Sequence, residues 1–134
     1  MKKKDLMIGD YLHDEFGNTC VVRYLADVIT LENLEGSNAG EMILGTEFEG
    51  ITLTASILYR NGFKIDGYAV LEIDKETHLE YYFPEHRLRK VWRGIDEWDN
   101  HAEKTEITFQ CQCFYVHDLQ HALKMCGIKK EITL

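Results

Sequence analysis

The chain has 134 residues, with 15 lysines and arginines against 23 aspartates and glutamates, a net charge of −8 and 45% apolar residues. This balance excludes a disordered, collagen-like or coiled-coil chain, and no apolar run reaches the ~18–20 residues that span a bilayer. The length suits one domain, and one proline among ten glycines leaves no low-complexity linker.

Met1-Lys2-Lys3-Lys4 has the charge of a signal n-region, but Asp5 and Asp10 interrupt the apolar stretch that a signal requires next. A cytoplasmic chain without secretory signal, lipid anchor or membrane segment is expected. Residues 11–13 read as a short strand. Asp14-Glu15-Phe16-Gly17-Asn18 reads as a turn, with Gly17 and Asn18 suited to positive φ. Residues 19–26 are rich in β-branched side chains and predict a second strand. Asp27-Val28 turns the chain into residues 29–31, where Ile29 and Leu31 share a face. This meander resembles the opening of a small SH3-like barrel. Residues 33–40 have almost no apolar content and predict a mobile surface loop.

Thr54 predicts an N-cap for a helix over residues 55–61. Gly62 then supplies the left-handed stop, and Phe63 falls where a Schellman motif sets an apolar residue against Leu58. The same grammar recurs at Gly127 and Ile128, which can fold back on Leu123. Between the helices, Ala69, Leu71 and Ile73 alternate with polar neighbours, 74–77 makes a turn, and Leu79, Tyr81 and Phe83 alternate up to Pro84. Residues 104–115 form the clearest strand, with Ile107, Phe109, Cys111, Cys113 and Tyr115 on one face. Residues 86–93 read as a strand or a helix. The strand is preferred because it pairs naturally with its neighbours, and it points Leu88 and Trp92 one way and Arg87, Arg89 and Arg93 the other. The fold expected is α+β: a small SH3-like β meander, then an antiparallel sheet with two short helices. It forms a single domain over residues 1–134, divided near residue 50.

Cys111-x-Cys113 and His117-Asp118-Leu119-Gln120-His121 invite comparison with a zincin helix. At ~100° per residue, Val116, Leu119, Ala122, Leu123 and Cys126 gather on one arc, which leaves His117 and His121 with Lys124 on the other. Asp118 reads as the N-cap, so His117 falls before the helix. The expectation is therefore surface histidines, core thiols, and no metal or cofactor, with a zinc-dependent hydrolase using His117 and His121 as the alternative. No nucleophile elbow, dinucleotide fingerprint or phosphate loop is present. Glu41, Glu47 and Glu49 read as a solvated acidic edge.

The remaining feature is basic and aromatic. Arg87, Arg89, Lys90, Trp92 and Arg93 fall within eight residues that hold no acid, and tryptophan with arginine is typical of recognition hot spots. These five are the binding candidates. The acidic remainder disfavours duplex DNA. A protein partner is the leading expectation, a single-stranded nucleic acid the alternative, and exposed strand edges are compatible with a homodimer.

Leu6-Met7-Ile8-Gly9-Asp10, the helix start Leu53-Thr54, the stop Gly62-Phe63, and His117-Asp118-Leu119-Gln120 closed by Gly127 resemble a group of short uncharacterised proteins of gut anaerobic bacteria, their phages and mobile elements. The resemblance implies an α+β domain and a small accessory protein. It implies no activity and no catalytic residue. Together the residues and the resemblance point to a non-enzymatic accessory or interaction domain.

Overall fold

The computed structural model describes residues 5–26, 28–45, 47–96 and 102–134. It is α+β, with two five-stranded antiparallel sheets and two α-helices. The chain divides into two compact units: Met1–Thr52 with Tyr115–His121, and Leu53–Phe114 with Ala122–Leu134. No helix among the described residues is long and apolar enough to cross a membrane.

The first unit holds β1 (Tyr11–Asp14), β2 (Thr19–Leu25), β3 (Ile29–Asn33), β4 (Met42–Gly45) and β5 (Phe48–Gly50), in the order β4-β3-β2-β1-β5. Alternation turns Leu12, Cys20, Val22, Ile29 and Leu31 to one side, where they form a core with Leu6. In the β1–β2 turn the Asp14 carboxylate accepts the amides of Phe16 (2.9 Å) and Asn18 (2.8 Å). Gly17 takes positive φ, but Asn18 does not, contrary to expectation; its amide donates to Asp14. The loop expected to be mobile is strapped. Asn33 takes the Gly40 amide on its carbonyl (2.7 Å) and donates its own to Glu41 (2.9 Å). The Glu35 carboxylate binds the amide and hydroxyl of Thr19.

The second unit holds α1 (Ala55–Arg60), β6 (Lys64–Asp66), β7 (Tyr68–Glu72), β8 (Thr77–Tyr82), β9 (Arg87–Asp96) and β10 (Ala102–Gln112), with the strands in the order β10-β9-β8-β7-β6. Helix α2 (Val116–Met125) begins in the first unit and ends in the second. Residues 87–93 are strand, as preferred. Ala69, Leu71, Leu79, Tyr81 and Leu88 are buried on one face of the sheet. The face expected for β10 is corrected by a bulge. Ile107 pairs with Val91 and Phe109 with Lys90, so the extra residue Thr108 turns Ile107 away from Phe109. Ile107 is accordingly 52% exposed.

Both helix stops form as their sequences require. Phe63 N–H reaches Leu58 C=O (3.1 Å) past Gly62 at φ 92°, and Ile128 N–H reaches Leu123 C=O (2.9 Å) past Gly127 at φ 71°. A side chain at either glycine meets the left-handed penalty, so Gly62→Ala and Gly127→Ala each lose about 1 kcal/mol, read as a thermal midpoint several degrees lower by circular dichroism.

Candidate functional site

Two places gather the sequence's candidate residues, one in each unit.

In the first unit, the start of α2 meets the entry to β1. Tyr115 is the N-cap, since its carbonyl accepts the amides of Asp118 (3.0 Å) and Leu119 (3.3 Å). The Asp118 carboxylate reaches back to the Tyr115 amide (3.0 Å), which is half of a capping box. Asp118 is thus the third helical residue rather than the cap, and His117 lies inside the helix one turn before His121. The outward orientation expected of the two imidazoles is overturned as well. His117 is 3% exposed, and the His121 side chain keeps 21% of its surface. The simple helical arc failed because this helix is covered on a second side by Gly9-Asp10-Tyr11.

That contact is closely satisfied. Asp10 is fully buried, and its carboxylate accepts the Met7 amide (2.8 Å). His121 Nε2–H donates to its two oxygens at 2.7 and 2.9 Å. Beside it, Gln120 Oε1 accepts the Tyr11 amide (2.9 Å) and Nε2 donates to the Gly9 carbonyl (2.9 Å). His121 makes no other hydrogen bond among the described residues, so its imidazole fastens Asp10 and addresses no nucleophile.

His117 lies parallel to Tyr115 (centroids 5.5 Å) and edge-on to His121 (5.7 Å). Its Nδ1 is buried without a partner, and its Nε2 stands 3.7 Å from Asp118. Burial holds its pKa below the ordinary value of 6.5, helped by His121 and opposed by Asp118, Asp10 and Asp5. No three His, Cys, Asp or Glu side chains gather as a metal-binding group among the described residues. Cys111 and Cys113 belong to the second unit, with sulfurs 3.7 Å apart. Cys20 and Cys113 are buried, while Cys111 and Cys126 are half-buried, so the thiols are only partly core. Burial, with Asp14 next, pushes the Cys20 thiol up to about 11.

Because the folded pKa of His117 lies below its unfolded value, the unfolded chain takes up the proton first. The stability that the neutral ring contributes is complete above pH ~6.5 and is lost as pH falls through the folded pKa. The thermal midpoint should therefore fall between about pH 7 and pH 5, and His117→Phe should fall less steeply over that range. Equal slopes in the two proteins would remove His117 as the cause.

In the second unit, β9 carries all five binding candidates and its alternation divides them. Arg87, Arg89 and Arg93 share one face, while Lys90 and Trp92 share the face of Leu88. Trp92 donates to Glu76 (3.0 Å) and lies across Gly94, where a Cβ would overlap the indole. It is therefore packed locally and away from the arginines. The arginine face bears a groove of about 390 Å³ lined by Lys64, Tyr68, Glu72, His78, Glu80 and Arg93, among others.

Within that face Glu80, the acid in register with Arg89, is already satisfied. Glu80 binds His78 Nε2 (3.0 Å) and accepts from the Tyr82 hydroxyl (3.0 Å), while Glu76 takes the Trp92 indole. Burial and then Glu80 raise the Tyr82 phenol. The arginines are not so satisfied. The Arg89 guanidinium lies over Tyr82 (5.1 Å), and its buried Nε–H has no acceptor. Arg87 has Glu85 at 3.7 Å, and the Arg93 side chain has no ion pair or hydrogen bond with a described residue. Tyr68 and Tyr82 are stacked on one another at 5.1 Å, so each has already given a ring face to a neighbour.

Sequence reasoning found the basic stretch but missed Tyr68, Tyr82, His78 and Glu80, whose alternation on β7 and β8 was the available signal. It also missed Asp10, which lies about 110 residues from its partner. Comparison with known proteins adds no relative: no family model, no curated protein and no solved structure matches the chain.

Proposed function

We propose that the protein is a non-catalytic binding module. Its arginine face, through Arg87, Arg89 and Arg93, takes up a short carboxylate-bearing segment of a partner protein. The observation that carries this is the state of that face: Arg89 Nε–H and the Arg93 side chain lack acceptors among the described residues, and Glu80, the acid opposite Arg89, already has donors. Arginine presents a planar fork of donors that suits carboxylates, and Arg89 is held in place by its stacking on Tyr82.

Charge and ring geometry separate this reading from the nucleic-acid one. A long polyanion would extend over a surface that is acidic in total, with a net charge of −8, whereas a short acidic segment stays within the basic patch. Base stacking also needs free ring faces, and the tyrosines here stack on each other while Trp92 lies over Gly94. We read the first unit's meander as SH3-like, a scaffold beside this binding role.

Fluorescence anisotropy tests the proposal with a labelled peptide of alternating glutamate and serine and an oligothymidylate of equal charge. The peptide should bind saturably and more tightly than the oligonucleotide, and its affinity should fall with salt. Arg87→Ser, Arg89→Ser and Arg93→Ser together should weaken it at least tenfold and leave the thermal midpoint within a few degrees. Unchanged peptide binding by the triple variant, or preference for the oligonucleotide, contradicts the proposal.

A further inference from the structure

The first unit carries two grooves that share a wall. One, of about 300 Å³, is lined by Phe16, Leu31, Ile43 and Leu44, with Gly45 at its edge. The other, of about 470 Å³, is lined by His13, Gly17, Phe48 and Glu49. Asp14, Glu15 and Glu47 line both.

Two features of this surface suit a docked partner. Phe16 is 81% exposed at the tip of the β1–β2 turn, and Leu44 is 69% exposed on β4. Both side chains line the first groove, so an apolar group entering it would cover them together. In addition, the side-chain carboxylates of Glu15, Glu47 and Glu49 make no hydrogen bond or ion pair with any described residue. Asp14 differs, because the turn amides occupy it. Apart from His13, which lines the second groove, the unit's described residues bring no cation to these carboxylates. Arg23 is their one lysine or arginine, and it is committed to Glu32 at 2.9 Å.

We infer that this double groove docks a segment of a partner protein that presents one large apolar side chain beside lysine or arginine. The apolar groove takes the first and the unpaired carboxylates meet the second. The adjoining walls place the two features close together in space, within reach of one short segment, since Glu15 and Glu47 border both grooves. The site differs in unit and in charge preference from the arginine face, so the two proposals stand or fall separately.

The test uses the full chain and a labelled peptide, Gly-Ser-Lys-Leu-Phe-Lys-Lys-Ser-Gly, followed by anisotropy. Two counter-probes replace its lysines by glutamates or its Leu-Phe by Ser-Ser. The first peptide should bind saturably and each counter-probe at least tenfold more weakly. Phe16→Ser with Leu44→Ser should weaken binding at least tenfold without moving the thermal midpoint, as both side chains already face water. Glu15→Gln, Glu47→Gln and Glu49→Gln together should weaken binding and flatten its salt dependence. The triple arginine variant of the other unit should bind this probe as the wild type does. Absence of saturable binding, equal binding of the Ser-Ser probe, or indifference to Phe16→Ser with Leu44→Ser overturns the inference. Sedimentation showing a dimer that Phe16→Ser with Leu44→Ser dissolves overturns it in favour of a second copy of this chain.

Discussion

A carboxylate removed from water must find donors, or folding loses several kcal/mol. Asp10 is fully buried, and its donors come from two directions. Met7 is three residues away, and His121 lies 111 residues further along. Gln120 closes the same junction by satisfying the amide and the carbonyl on either side of Asp10. The C-terminal helix is thereby recruited to the first unit, and the strand that enters its sheet is held at its base. Two short stretches far apart in the chain, Ile8-Gly9-Asp10 and His117-Asp118-Leu119-Gln120-His121, are the two sides of this clasp. Their chemistry is that of fastening, with imidazole and amide used as donors to buried acceptors.

The second sheet shows how local satisfaction shapes what a surface can bind. Its arginine face contains acids and bases. Hydrogen bonding divides them. Glu80 is held by His78 and Tyr82, and Glu76 by Trp92, while Arg89 is held only by a ring. What Arg89 and Arg93 retain for a ligand is donor capacity. In the first unit the division is reversed, with carboxylates left over beside exposed Phe16 and Leu44. Among the described residues, one small chain thus presents arginines short of acceptors in one unit and carboxylates without donors in the other.

The sequence made the locally determined parts legible. Thr54, Gly62 and Gly127 set caps and stops through contacts within six residues, and those formed as read. The alternation of Leu79 and Tyr81 gave β8, and that of Leu88 with the arginines gave the division of β9. Strands β4, β5 and β6 went unread because three or four residues carry too short a pattern. The Thr108 bulge shifted half of β10 by one face, a change invisible to strict alternation. The histidines were misplaced because an arc on a helix identifies one covered side and this helix has two. The signal available was the buried-acid requirement itself: an aspartate in an otherwise apolar stretch, Ile8-Gly9-Asp10-Tyr11-Leu12, calls for a distant donor.

The most direct test of this account is a double-mutant cycle on Asp10→Ala and His121→Ala, with stability measured by urea unfolding. If Asp10 and His121 form the clasp, removing His121 alone strands a buried carboxylate and costs more than removing both partners' interaction would suggest. The account predicts a coupling energy above about 1 kcal/mol, with His121→Ala partly rescued by Asp10→Ala. Losses that simply add, to within about 0.5 kcal/mol, would contradict it.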